Sequence, residues 1–271
     1  MRLAIFTFAL SLSLSVQARV DTLWIHSVYM DIDIGTTVIL PKGYDIESVT
    51  EYPVVYILHG AGGDYGNWLR RLPQLEDLST DYGFIFVCPD GGQTSWYLDS
   101  PIDPQMQYES YIIKELTVQI DKEYRTSTDL VKRAITGLSM GGHGALYLAL
   151  KYPNKFRIAG SMSGGVDLRP FPKNWDLPLR LGEFNKFPQN WEDHSVVVIA
   201  EKVDPNLYTF IIDCGIKDFF LDVNRALDST LNKRGFEYNY SEREGAHNWP
   251  YWRESIRRHL EFFDKEFSNQ N

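Results

Sequence analysis

The sequence predicts an α/β fold in which a largely parallel sheet is covered by helices on both faces. Three observations carry that prediction. Strand-like and helix-like segments alternate along the chain after residue 18, the order that stacks parallel strands through helical crossovers. One segment, Pro53-Val-Val-Tyr-Ile-Leu58, is apolar without interruption, as expected of a central strand buried on both faces. A glycine-bounded turn, Gly137-Leu-Ser139-Met-Gly141, lies between a strand-like run, Val131 to Thr136, and a helix-compatible run, Ala145 to Leu150.

Taken in order, Leu23 to Val28 and Thr36 to Leu40 read as opening strands, ahead of the central run at 53–58. A helix is expected near Trp68 to Leu78, then a strand from Phe84 to Cys88. Ile112, Ile113, Leu116 and Ile120 recur at helical spacing and predict a helix over about Tyr108 to Tyr124. The strand and helix around Ser139 follow, then a strand near Phe156 to Ser161. Residues 162–192 hold Pro170, Pro172, Trp175, Pro178, Pro188 and Trp191 among loop formers, and read as an irregular insertion over the sheet edge and the active site. Beyond it come a helix near Val196, strand Tyr208 to Ile212, helix Phe219 to Leu231, strand Phe236 to Tyr240 and a terminal helix, Tyr251 to Phe267. In such a sheet the ligand crevice lies at the carboxyl ends of the strands.

The first 18 residues read as a secretory signal peptide: Arg2 is a short positive segment, Leu3 to Val16 is apolar, and Val16-Gln-Ala18 precedes a cut before Arg19. The expectation is an exported protein, secreted or periplasmic. The apolar run is short for a transmembrane helix, and no later stretch approaches ~20 apolar residues, so no membrane insertion is expected after cleavage. Residues 19–271 suit one domain. A formal net charge of −9 argues against nucleic acid or an anionic membrane surface as a partner. Cys88 and Cys214 end two strand-like runs that the fold does not place side by side, so two buried free thiols are expected. With two cysteines and scattered histidines, neither a metal nor another cofactor is implied.

Strand, sharp turn and helix around Ser139 are the context that the nucleophile elbow of an α/β-hydrolase requires, and Ser139 is the expected nucleophile. The turn forces a strained backbone at the serine, and Gly137 and Gly141 let neighbouring chain approach without Cβ clashes. A serine hydroxyl needs an adjacent base, and the base needs an orienting acid. Four histidines follow Ser139. His143 lies one turn past it and reads as a packing residue; His194 precedes a strand, at its wrong end; His259 lies mid-helix beside Arg257 and Arg258 and reads as solvated. His247 alone falls in a loop after a strand's carboxyl end, and is the expected base. Asp213 and Asp218 compete as the acid. Topology favours Asp218 modestly, because it lies past the Gly215 turn, and Asp213 would then serve a turn or a helix terminus. Oxyanion donors are expected at the amides of Met140, after the nucleophile, and Ala61, in the glycine-rich His59-Gly-Ala-Gly-Gly63 loop. His59 reads as holding that loop.

These segments, together with Pro89-Asp-Gly-Gly, Ser95-Trp-Tyr-Leu-Asp-Ser-Pro101, Tyr108 to Leu116, Asp213-Cys-Gly-Ile-Lys-Asp218 and Gly245-Ala-His-Asn-Trp249, resemble the esterase D-like branch of the α/β-hydrolases. That branch includes feruloyl and acetyl-xylan esterases, tributyrin esterases, S-formylglutathione hydrolases and mycolyltransferases. The resemblance covers nearly all of residues 19–271. It implies that the acid is Asp218, that Met140 and Ala61 donate to the oxyanion, and that no cofactor takes part. The loop after His59 differs from that of S-formylglutathione hydrolases, and with the expected export this favours the carbohydrate-ester branch.

The expectation is therefore a serine carboxylesterase for feruloyl or acetyl esters of xylan-type polysaccharide, with an oligosaccharide or small-molecule ester as its partner. A broad short-chain esterase, an S-formylglutathione hydrolase-like thioesterase or acyltransferase, and a non-catalytic carbohydrate-binding protein on the same fold are the alternatives. Trp96, Tyr97 and Trp249 are candidates to line the pocket, and Trp175 and Trp191 to form a lid.

Overall fold

The computed structural model describes residues 18–44 and 49–269. The expected signal peptide, apart from its last residue, lies outside the described residues. Eight strands form one sheet: β1 Arg19–Ser27, β2 Ile32–Leu40, β3 Val54–Leu58, β4 Ile85–Pro89, β5 Arg133–Leu138, β6 Ile158–Met162, β7 Thr209–Gly215 and β8 Glu237–Arg243. Their spatial order is β1-β2-β4-β3-β5-β6-β7-β8. β2 runs antiparallel to both of its neighbours, and every later pairing is parallel.

Helices α1 Asn67–Arg71 and α2 Leu75–Tyr82 precede β4; α3 Tyr108–Ser110, a π-helical turn Tyr111–Leu116 and α4 Thr117–Glu123 precede β5; α5 Met140–Lys151 precedes β6. After β6 come α6 Leu177–Leu181, α7 Pro188–Asp193, α8 Val196–Ala200, α9 Leu221–Arg234 and α10 Trp249–Ser268. The single helix expected over 68–78 is two. Leu72 precedes Pro73, whose ring pushes it out of helical conformation to φ −137°, ψ 77°.

Alternate side chains of β3 feed two cores, as a strand covered on both faces requires. Val54, Tyr56 and Leu58 pack with the Tyr111–Leu116 turn, α5, α8 and α9, whereas Val55 and Ile57 pack with α1, α2 and α10. All five are fully buried. α5 is buried on every face from Met140 to Leu150, so Ser139 is mounted on an enclosed helix. Cys88 and Cys214 are free and buried, on strands separated by three others, and burial pushes the Cys88 thiol up to about 12. Among the described residues no helix is long and apolar enough to cross a membrane.

Candidate active site

Register fixes where the loops meet. Leu58 pairs with Gly137, Leu138 with Met162, and Met162 with Asp213, so the carboxyl ends of β3, β5, β6 and β7 share one edge. Ser139 joins β5 to α5 with φ 56° and ψ −117°. Such a conformation costs a residue other than glycine of order 1–3 kcal/mol and persists only where its surroundings impose it. A Cβ on Gly137 would lie 2.5 Å from the backbone of Gly141, and one on Gly141 would lie 2.6 Å from the carbonyl oxygens of Leu58 and His59. The expected role of both glycines is therefore met. Gly141→Ala is expected to cost roughly 1–3 kcal/mol, because the facing atoms are backbone and cannot swing aside. A thermal denaturation midpoint equal to that of the parent protein would contradict this.

His247 joins Ser139 to Asp218. Its Nε2 lies 2.9 Å from Ser139 Oγ, and its Nδ1 lies 3.0 and 2.9 Å from the two carboxylate oxygens of Asp218. The Asp218 carboxylate is out of reach of solvent and also accepts the Phe220 N–H at 2.9 Å. It holds the imidazole proton on Nδ1, which leaves the Nε2 lone pair facing the serine. Two backbone bonds tie the loops that carry these groups: Ile216 N–H to Arg243 O and Lys217 N–H to Gly245 O, both 2.9 Å.

Of the two expected oxyanion donors, Met140 directly follows Ser139 and Ala61 lines the same cavity as Ser139. Met140 is the first residue of α5, so its amide has no carbonyl one turn earlier within the helix. Ala61 is exposed in the loop after β3, held by Gly62 N–H to Gln93 O at 2.8 Å and Gly63 N–H to Gly60 O at 3.0 Å. His59 pins this loop as expected: Nδ1–H donates to Gly60 O and Nε2 accepts from Gly91 N–H, each at 2.8 Å.

A cavity of about 360 Å³ opens over Ser139 and His247, and Trp96, Trp175 and Trp249 line it. Tyr97 does not. Its ring is buried against Gly91 and Gly144, and its hydroxyl bridges the backbone N–H and carbonyl of His59 at 3.0 and 3.1 Å. Tyr97 thus braces the loop of Ala61 from beneath. Trp191, a lid candidate, is fully buried, with its indole N–H on Gly182 O.

Three further expectations need correction. His259 is not solvated: it is fully buried, 2.8 Å from Thr136 Oγ1 and 3.2 Å from Asp213 Oδ2. Asp213 serves neither a turn nor a helix end; it accepts from Ser255 at 2.8 Å and faces Arg243 at 3.4 Å inside the protein. His194 stands between α7 and α8 rather than ahead of a strand. His143 packs as expected, between the carbonyls of Trp96 and His194 at 3.1 and 2.8 Å. Burial pushes its imidazole down to about 4, so it is neutral and donates to only one of them.

The residues 27–263 match the family model described as Putative esterase. The chain belongs to this esterase family. An esterase of Mycobacterium tuberculosis is 38% identical over 138 residues, which span 50% of this chain and 30% of that protein. An acetyl esterase of Caldicellulosiruptor saccharolyticus is 28% identical over 226 residues, covering 78% of this chain and 83% of the relative. A solved ferulic acid esterase superposes with a TM-score of 0.80 and 27% identity, over 93% of this chain and all of that one. The fold is that of the α/β-hydrolase esterases.

Phe219, Phe220, Trp252 and Arg71 also line the cavity, and none of them is among the residues expected there from the sequence. Phe219 and Phe220 directly follow Asp218, in a loop at the functional edge of the sheet, and that position was the available signal. Phe219 is 55% exposed, stacks on Trp175 and lies 4.2 Å from the His247 ring, centroid to centroid.

Proposed function

We propose that the protein is a serine carboxylesterase, with Ser139 as nucleophile, His247 as general base and Asp218 as orienting acid. The observation that carries the reading is the single imidazole within hydrogen-bond reach of both Ser139 Oγ and the buried Asp218 carboxylate, in the wall of the cavity. His247 Nε2 takes the hydroxyl proton as Oγ attacks the ester carbonyl, and the carboxylate stabilises the imidazolium that forms. The amides of Ala61 and Met140 receive the oxyanion. The imidazolium then protonates the departing alcohol, and a water activated by the same nitrogen releases the acid.

Feruloyl or acetyl esters of xylan-type oligosaccharides are the proposed substrates, acted on outside the cytoplasm. The cluster of Trp96, Trp175, Phe219 and Phe220 supports this, since it offers flat surface to a planar acyl group or a sugar face. The test compares kcat/KM for p-nitrophenyl acetate, methyl ferulate, an acetylated xylo-oligosaccharide and S-formylglutathione. Phe219→Ala is expected to lower kcat/KM for methyl ferulate roughly fivefold more than for p-nitrophenyl acetate, which is too small to use an extended wall. Equal losses on both, or S-formylglutathione as the best substrate, would remove the carbohydrate-ester assignment.

A further inference from the structure

We infer that, among the esters it takes, this cavity favours those that carry a carboxylate, and that Arg71 is the residue that favours them; the inference rests on the esterase reading above. Among the described residues, Arg71 is the only ionisable side chain besides His247 that lines the cavity, and no aspartate or glutamate lines it. Its neighbour Arg70 is neutralised by Asp64 at 2.7 Å. Among the described residues Arg71 has no such carboxylate. Its guanidinium lies over the Trp249 ring, 5.7 Å from the centroid, which holds the group in place and leaves its charge intact.

A second arginine holds the backbone of Arg71 without itself lining the cavity. Arg253 donates from Nε to the backbone carbonyl of Arg71 at 2.8 Å, and among the described residues it too lacks an acidic partner. A guanidinium without a carboxylate partner in the lining that also holds Ser139 runs against the formal net charge of −9. The Arg71 charge favours an anion at the cavity wall of a protein whose net charge is negative.

His247 divides the cavity wall into two halves. Phe219 and Phe220 meet its ring at 4.2 and 5.4 Å and continue to Trp175, an uncharged half. Trp252 meets the ring at 4.9 Å and continues through Trp249 to Arg71. An ester held across Ser139 therefore rests one end on apolar rings and extends the other toward a guanidinium. That planar group donates two parallel hydrogen bonds to a carboxylate, a fit no neutral ester provides. The carboxylate belongs either to the alcohol, as in an acylated uronic acid residue, or to the acyl group, as in a dicarboxylic half-ester.

Two pairs of probes separate these sources. The first is 4-acetoxybenzoate against its methyl ester, with the charge on the leaving alcohol. The second is mono-p-nitrophenyl succinate against p-nitrophenyl butyrate, with the charge on the acyl group. In one pair the ratio of kcat/KM for the charged over the neutral member is expected to fall roughly fivefold in Arg71→Gln, to recover partly in Arg71→Lys, and to shrink with added salt. Calorimetric binding of 4-hydroxybenzoate and of succinate to Ser139→Ala, with and without Arg71→Gln, makes the same comparison without turnover. Carboxylate binding that depends on Arg71 in a protein that hydrolyses none of the esters would support the selectivity and strike the esterase reading alone. Equal ratios in both pairs, and equal binding with and without Arg71, would overturn the selectivity and leave Arg71 as a packing partner of Trp249.

Discussion

Ser139→Ala is expected to lower kcat for p-nitrophenyl acetate on the order of 10⁶-fold with the fold intact. The loss is that large because the hydroxyl, the imidazole and the carboxylate act as a unit: without Oγ no acyl-enzyme forms, and His247 has nothing to deprotonate at 2.9 Å. The fold should survive because Ser139 is only half-buried and its Oγ hydrogen bond is to His247. Removing one atom there opens no cavity in the core, so circular dichroism and the thermal midpoint should stay close to the parent values. What remains of catalysis comes from the oxyanion donors and from binding, about 10³-fold to 10⁴-fold above water. Activity within tenfold of the parent enzyme would sink the mechanism with Ser139 at its centre.

The geometry around Ser139 was legible because each part of it leaves a local mark. The elbow needs glycine at 137 and 141, since a Cβ at either would meet backbone at 2.5 or 2.6 Å. Chain order then separates His247 from the other three histidines that follow Ser139, because of those four it alone follows the carboxyl end of a strand. The cavity wall was less legible. Trp96 and Tyr97 are adjacent, both at φ 57°, and a turn of that kind has no period from which to tell that one ring faces the cavity and the other the core. His259 was misread because Arg257 and Arg258 beside it suggest a wet face. Yet Ile256, His259, Leu260, Phe263 and Phe267 share one stripe of α10, and that spacing carried the correct answer. Arg71 lay beyond reach. Its partner Trp249 is far along the chain, and only the packing of α1 against the start of α10 brings them together.

Asp218→Asn is expected to lower kcat about 10⁴-fold, and Asp213→Asn to act mainly on stability. The two aspartates lie five positions apart and are both buried, yet they face different partners. Asp218 contacts Nδ1 of the imidazole that meets Ser139. An amide in its place no longer holds the Nδ1 proton or stabilises the imidazolium, so the loss falls on the chemical step. Asp213 instead meets His259, Arg243 and Ser255 in the interior, and Asp213→Asn leaves the Arg243 charge without its counter-ion there, a change that typically costs about 3–5 kcal/mol. Burial alone would push the Asp213 carboxyl up, but the His259 hydrogen bond and the Arg243 charge outweigh it and hold the group below the usual carboxylate range. A carboxyl with a depressed pKa in the folded state stabilises the fold above its ordinary value of about 3.9, and loses that contribution as the pH falls through the folded value. The gap in thermal midpoint between the parent protein and Asp213→Asn should therefore be widest near neutral pH and narrow below about pH 4. Asp218→Asn should keep its midpoint better than Asp213→Asn while losing far more of kcat. The opposite ranking in folded variants, with activity lost at Asp213 and retained at Asp218, would mean that the acid of the mechanism is the wrong one of the two.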